Sequence, residues 1–145
     1  MKYTRLFLIL TCLFSAACSD KYEQQYKNYI DFDKANQRNK GWFPSFISTD
    51  AYDFKNVSYL DSLCAFGSFS YSNNYFYDSI FNKTTKNKID FSKFEQKVKE
   101  HLKQRPDWFL NFDKISKTEY QTIRQDRFYI VRHIIDKKIY FILSN

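Results

Sequence analysis

Residues Thr118–Leu143 read TEYQTIRQDRFYIVRHIIDKKIYFIL. Three runs rich in Tyr, Ile, Val and Phe are separated by Gln125-Asp126 and by Asp136-Lys137-Lys138. β-Branched and aromatic side chains suit a pleated strand, and short polar breaks suit hairpin turns. The segment therefore predicts a three-stranded meander: Thr118–Arg124, Arg127–Ile135 and Ile139–Leu143. Working backwards, Trp108-Phe109-Leu110 and Phe112 are too apolar to be left in water, and are expected to pack as a flap. Before Arg105-Pro106, the residues Phe91, Phe94, Val98 and Leu102 recur at helical spacing. That predicts a helix from Asp90 to about Lys103, with Asp90 as its cap and Ser92–Glu95 at capping-box spacing.

Thr84–Lys88 is a polar loop, and Tyr75–Phe81 fits a short helix or a strand. Leu63–Tyr71 predicts a strand with Ala65, Gly67, Phe69 and Tyr71 on one face, and Lys55–Leu60 predicts another. Ser48 or Thr49 is placed to cap a short helical turn running to Phe54. Tyr22, Tyr26, Tyr29, Ile30 and Ala35 recur at helical spacing, so Lys21–Asn39 is expected to form a helix that Gly41 stops. The resulting expectation is an α+β domain. Its antiparallel sheet carries the C-terminal three-stranded meander, with two or three helices packed on one face.

The N-terminus has a different character. Lys2 and Arg5 precede an apolar run from Leu6 to Phe14, then Ser15-Ala16-Ala17 and Cys18. The run falls short of the ~20 residues a membrane-spanning helix needs. It resembles a bacterial lipoprotein signal peptide, with Ser15 standing where a large aliphatic residue is preferred. An ordinary secretory signal cut at the same Ala17–Cys18 bond is the alternative. The division expected is signal peptide 1–17, tether 18–21 and one globular domain 22–145. The resemblance implies a diacylglycerol thioether on Cys18 and an acylated (palmitate-type) amine, far firmer anchoring than a single acyl chain gives. Ser19 in place of Asp favours the periplasmic face of the outer membrane over the inner membrane.

Cleavage of 17 residues from 145 leaves 128, enough for one domain, and takes the formal charge from +7 to +5. That mild basic excess suits anionic lipid or lipopolysaccharide. The Lys and Arg residues are scattered, so no nucleic-acid partner is expected. With Cys12 in the discarded segment and Cys18 acylated, Cys64 is left alone in Leu63-Cys64-Ala65-Phe66, where a buried structural thiol is expected.

The stretch Gly41–Phe54, GWFPSFISTDAYDF, is the most distinctive of the mature chain. Gly41, Trp42, Pro44, Phe46, Ala51, Asp61, Phe69 and Tyr71 form a GW-x-P…A…D…F-x-[FY] pattern, echoed loosely by Ile139-Tyr140-Phe141. This pattern resembles a group of bacterial envelope proteins to which no activity is attached. Ser48, Asp50 and Phe54 depart from it, where the group has Pro, Ser and Ile.

Catalytic patterns are sparse. His101 and His133 belong to no zinc-type spacing, and no nucleophile elbow or phosphate loop occurs, so no metal, cofactor or catalytic residue is assigned. Asp50, Asp53 and Asp61 are close in sequence and admit an acid/base pair, although capping and turn formation explain them more simply. Trp42, Phe43, Pro44 and Trp108 are the candidate binding surface, with core packing as the alternative for the tryptophans. The expected role is a lipid-anchored, non-catalytic envelope protein that binds a protein or envelope component. An immunity-type protein neutralising a periplasm-acting toxin, and a small periplasmic hydrolase, are the alternatives.

Overall fold

A computed structural model describes residues 21–83 and 87–144; the expected signal segment, cleavage site and lipidated Cys18 lie outside them. Six antiparallel strands form one sheet in the order β1-β2-β3-β6-β5-β4. The strands are β1 (Lys21–Asn28), β2 (Tyr52–Tyr59), β3 (Cys64–Ser70), β4 (Tyr120–Gln125), β5 (Phe128–His133) and β6 (Lys138–Leu143). The helices are α1 (Tyr29–Lys34), α2 (Asn74–Lys83) and α3 (Phe91–Glu100). The α+β class and the C-terminal meander are as the sequence predicts. The two halves of the sheet, β1-β2-β3 and the meander, meet where β3 pairs with β6.

β3 is buried along its whole length, because both faces of the sheet are covered. Central strands of this kind read as continuous runs of small and apolar residues instead of alternating ones. On one face, Phe69, Tyr71, Ile130, Ile139 and Phe141 pack beneath Phe32 of α1, Phe43 and Ile47 of the GW segment, and Tyr77 and Phe81 of α2. On the other, Cys64, Phe66, Val131 and Ile142 meet Phe94 and Val98 of α3, together with Phe109 and Leu110. Two helices thus share a face and the third covers the opposite one. The 108–112 segment is the apolar flap expected of it.

The first element differs from its prediction. Lys21–Asn28 is an edge strand paired antiparallel with β2, from Lys21↔Tyr59 to Asn28↔Tyr52. Only then does a short helix begin, capped by Asn28, whose side chain accepts from the Asp31 N–H at 2.9 Å. Tyr22 and Tyr26 are four residues apart, a spacing shared by strand and helix, and the long-range pairing decides between them. α1 ends at Lys34, so Gly41 does not stop it. Gly41 instead closes a turn onto the Arg38 carbonyl with φ +77°, a conformation glycine adopts without strain.

Residues 48–54 form no helical turn. β2 starts at Tyr52, and a register irregularity between Tyr52 and Lys55 accompanies Asp53 at φ +50°. Asp90 occupies the cap position of α3 without a side-chain cap bond, and Glu95 reaches Lys99 and Lys117 instead of completing a capping box.

Candidate functional site: an apolar rim on polar clamps

Strand register defines two ends of the sheet. One end runs through Asn28, Tyr52, Ser70, Lys138, His133 and Tyr120, each paired with the next. We call it the rim. The other end, the foot, carries Lys21, Tyr59 and Cys64. Large apolar side chains left in solvent gather at these ends. Ile30, Tyr52, Tyr75, Phe76, Ile134 and Ile135 lie at the rim, whereas Tyr22, Leu60, Leu63 and Leu102 lie at the foot. Tyr75 is 82% exposed and Ile135 66%.

The rim segments are held by three polar clamps. The first is centred on Arg132 of β5, which is completely buried. Its Nε donates to Tyr71 Oη at 2.6 Å, Nη1 donates to Asp78 at 2.7 Å and Gln121 at 3.1 Å, and Nη2 donates to Asn74 at 3.0 Å. The guanidinium also lies over the rings of Tyr71 and Phe81, at 5.3 and 5.7 Å. Asn74 and Asp78 belong to α2, so this one cation fixes the helix that presents Tyr75 and Phe76.

The second clamp is the Asp50 carboxylate, which accepts the backbone N–H groups of Ser72 at 3.0 Å and Asn73 at 2.7 Å, and the Ser48 hydroxyl. Ser48 in turn bonds Tyr77 Oη at 2.9 Å. Burial alone would raise the Asp50 carboxyl, but Ser48, Asn73 and Ser72 outweigh it and hold it below the ordinary carboxylate range. A depressed folded-state value contributes stability that is present above the unfolded value and is lost as pH falls through the folded one. We therefore expect part of the acid sensitivity below about pH 4 to come from this loop. Asp50→Asn should flatten stability against pH in that window, as measured by urea unfolding between pH 2 and 6. An unchanged slope would remove Asp50 from the acid response.

In the third clamp, His133 lies flat against Tyr120 at 4.5 Å between ring centroids. It sits between Glu119 at 3.2 Å and Asp136 at 2.8 Å. This arrangement secures the turn that displays Ile134 and Ile135. Lys137 adds a bond from its ammonium to the Ser72 carbonyl at 3.0 Å, tying the turn to the segment before α2.

The residues singled out from sequence are not assembled into one site. Phe43 and Pro44 are buried, Phe43 against Phe32 at 4.9 Å and Phe141 at 5.3 Å. Trp42 is half-buried on that same face, while Trp108 packs on the opposite face beside Phe109. These four therefore do not form a common surface, because the sheet separates them. Asp50 and Asp53 lie towards the rim, but Asp61 sits in the β2–β3 turn at the foot. The strand from Asp53 to Tyr59 spans about 20 Å, and Asp61 lies beyond it in the turn. The two histidines also part company. His101 bonds Gln104 at 3.1 Å and Ser144 at 3.0 Å, joining the end of α3 to the chain after β6.

Cys64 is fully buried, and burial pushes its thiol up to about 12, as suits a packed side chain and not a nucleophile. Among the described residues no group of three or more His, Cys, Asp or Glu is arranged to hold a metal ion.

Residues 20–70 match the family model described as the YbbD head domain. The match covers less than half of the chain, so the similarity is to a bacterial head domain over β1, α1, the GW segment, β2 and β3. It ends where β3 ends, leaving α2, α3 and the meander outside it. No curated protein and no solved structure matches the chain. The matched segment supplies Asp50, and the remainder supplies Arg132, α2 and the exposed Tyr75 and Ile135. The rim is thus built jointly by both parts.

Proposed function

We propose that this chain is a lipid-anchored protein of the bacterial envelope that acts by binding a protein partner through its rim. The observation that carries the reading is the exposure of Tyr75 and Ile135 on segments that buried polar groups hold in place. Aromatic and aliphatic side chains on a preorganised support lose little conformational entropy on binding, which is how interfaces concentrate their energy in a few residues. The carboxylates of Asp78 and Asp136 stand beside these side chains, 51% and 70% exposed. A partner with an apolar patch edged by Lys or Arg suits that surface. The envelope assignment draws on the sequence from Lys2 to Cys18 and on the GW-x-P pattern. Acylation of Cys18 places the domain at a membrane, and the outer membrane is the favoured one.

Two measurements test this reading. Intact mass of the protein extracted from membranes should show acyl groups on an N-terminal Cys18; a soluble product with unmodified Cys18 overturns the anchor. For the rim, purification from detergent-solubilised envelopes should recover a partner with the native chain and lose it with Tyr75→Ser/Ile135→Ser. Both positions are exposed, so the double variant should keep its unfolding free energy within about 1 kcal/mol. Partner recovery undiminished by a folded double variant contradicts the rim reading.

A further inference from the structure

We infer that the foot of the sheet, formed by Leu60, Leu63 and Leu102, is a second interaction surface that dips into the lipid layer to which Cys18 is attached. This rests on the proposed anchoring and adds to it an orientation of the domain. The decisive fact is where the described chain begins. Lys21 is the register partner of Tyr59, and Leu60 follows directly. Only Ser19 and Asp20 lie between Cys18 and Lys21, a reach of at most about 11 Å. An acylated Cys18 therefore holds the foot within one short tether of the bilayer and turns the rim away from it.

The foot has the chemistry for that contact. Leu60, Leu63 and Leu102 are 53%, 47% and 56% exposed. They belong to two adjoining segments: Tyr59 Oη donates to the Gln104 carbonyl at 2.9 Å, and the Gln104 amide donates to Ser62 at 3.0 Å. The β2–β3 turn closes through a bond from the Leu63 N–H to the Leu60 carbonyl, with Leu63 at φ +46°. Glycine or asparagine fits such a left-handed position more easily than leucine. An exposed leucine at such a tip is poorly suited to water and well suited to an acyl boundary. Exposed Lys103 flanks Leu102 and can meet a phosphate headgroup, while Lys21 is ion-paired with Glu23. Half-buried Trp108 packs beside Phe109, which meets Phe66, two residues from Cys64 at the foot. Tryptophan suits the interfacial layer, where its ring meets both apolar and polar surroundings.

The test uses the mature acylated protein in phosphatidylethanolamine–phosphatidylglycerol vesicles, spin-labelled in turn at Leu63→Cys, Leu60→Cys, Leu102→Cys and, as control, Tyr75→Cys. The buried Cys64 should remain unlabelled in the folded protein. Foot labels should collide preferentially with oxygen dissolved in lipid, and the Tyr75 label with a water-soluble nickel chelate. Using three foot positions keeps the test valid if one variant fails to fold. If all foot labels meet the nickel chelate as freely as the Tyr75 label, in protein whose mass shows the acyl groups, the lipid contact is wrong and the anchor stands. A mass without acyl groups removes the anchor and this contact together.

Discussion

Replacing Asp78, which is half exposed to water, should destabilise the domain more than replacing Arg132, which is not exposed at all. Asp78→Ala leaves a fully buried guanidinium with only neutral partners in Tyr71, Gln121 and Asn74. A buried charge stripped of its counter-ion costs about 3–5 kcal/mol, and the solvent access of Asp78 points to the lower end of that range. Arg132→Met removes the charge itself and fills much of the volume. It strands mainly the buried Tyr71 hydroxyl, at about 1–3 kcal/mol, because Asn74, Asp78 and Gln121 retain contact with water. Urea unfolding of the two variants beside the native domain decides the order. If Arg132→Met were the more damaging change, the guanidinium would be a net source of stability and not a buried charge that Asp78 makes tolerable.

The second large effect is expected at Gly67 in the centre of β3. A Cβ added there would lie 2.0 Å from Cζ of Phe141 and 2.5–2.6 Å from its ring neighbours. The ring cannot retreat cheaply, since Phe43 and Phe128 meet it edge-on at 5.3 and 5.7 Å. Gly67→Ala should therefore cost about 3 kcal/mol, the upper part of the range for overpacked cores. Combining it with Phe141→Leu should recover part of that loss, giving a double-mutant coupling above about 0.5 kcal/mol. Strict additivity would show that the two residues do not compete for one space.

The parts of this fold that could be read from sequence are those whose signal is local. The meander announced itself through alternating apolar residues and polar turns, and α3 through Phe91, Phe94 and Val98 on one helical face. β1 reads locally as a helix because Tyr22 and Tyr26 suit either period, and its pairing partners lie 24 to 38 residues away in β2. Asn28 was the local clue, a helix cap in the middle of the expected helix. The rim was harder still to see. Arg132 lies 54 residues from Asp78 and 61 from Tyr71, and in sequence it reads as a solvent-facing charge between Val131 and His133. Its burial follows only once α2 has landed on the sheet. Trp42, Phe43, Pro44 and Trp108 stand out by residue type, whereas exposure picks out Tyr75 and Ile135, which sit beside ordinary-looking breaks.

The proposed division of the sheet into a partner-binding rim and a membrane-facing foot is tested most directly by photo-cross-linking in living cells. A photoreactive amino acid is placed in turn at Tyr75, Ile135, Lys27 on the exposed edge strand, and Leu63 at the foot. The account predicts a protein adduct of one defined mass from Tyr75 and Ile135, none from Lys27, and lipid adducts from Leu63. Protein adducts that arise equally from Lys27, or that are confined to Leu63 while Tyr75 and Ile135 give none, would contradict it.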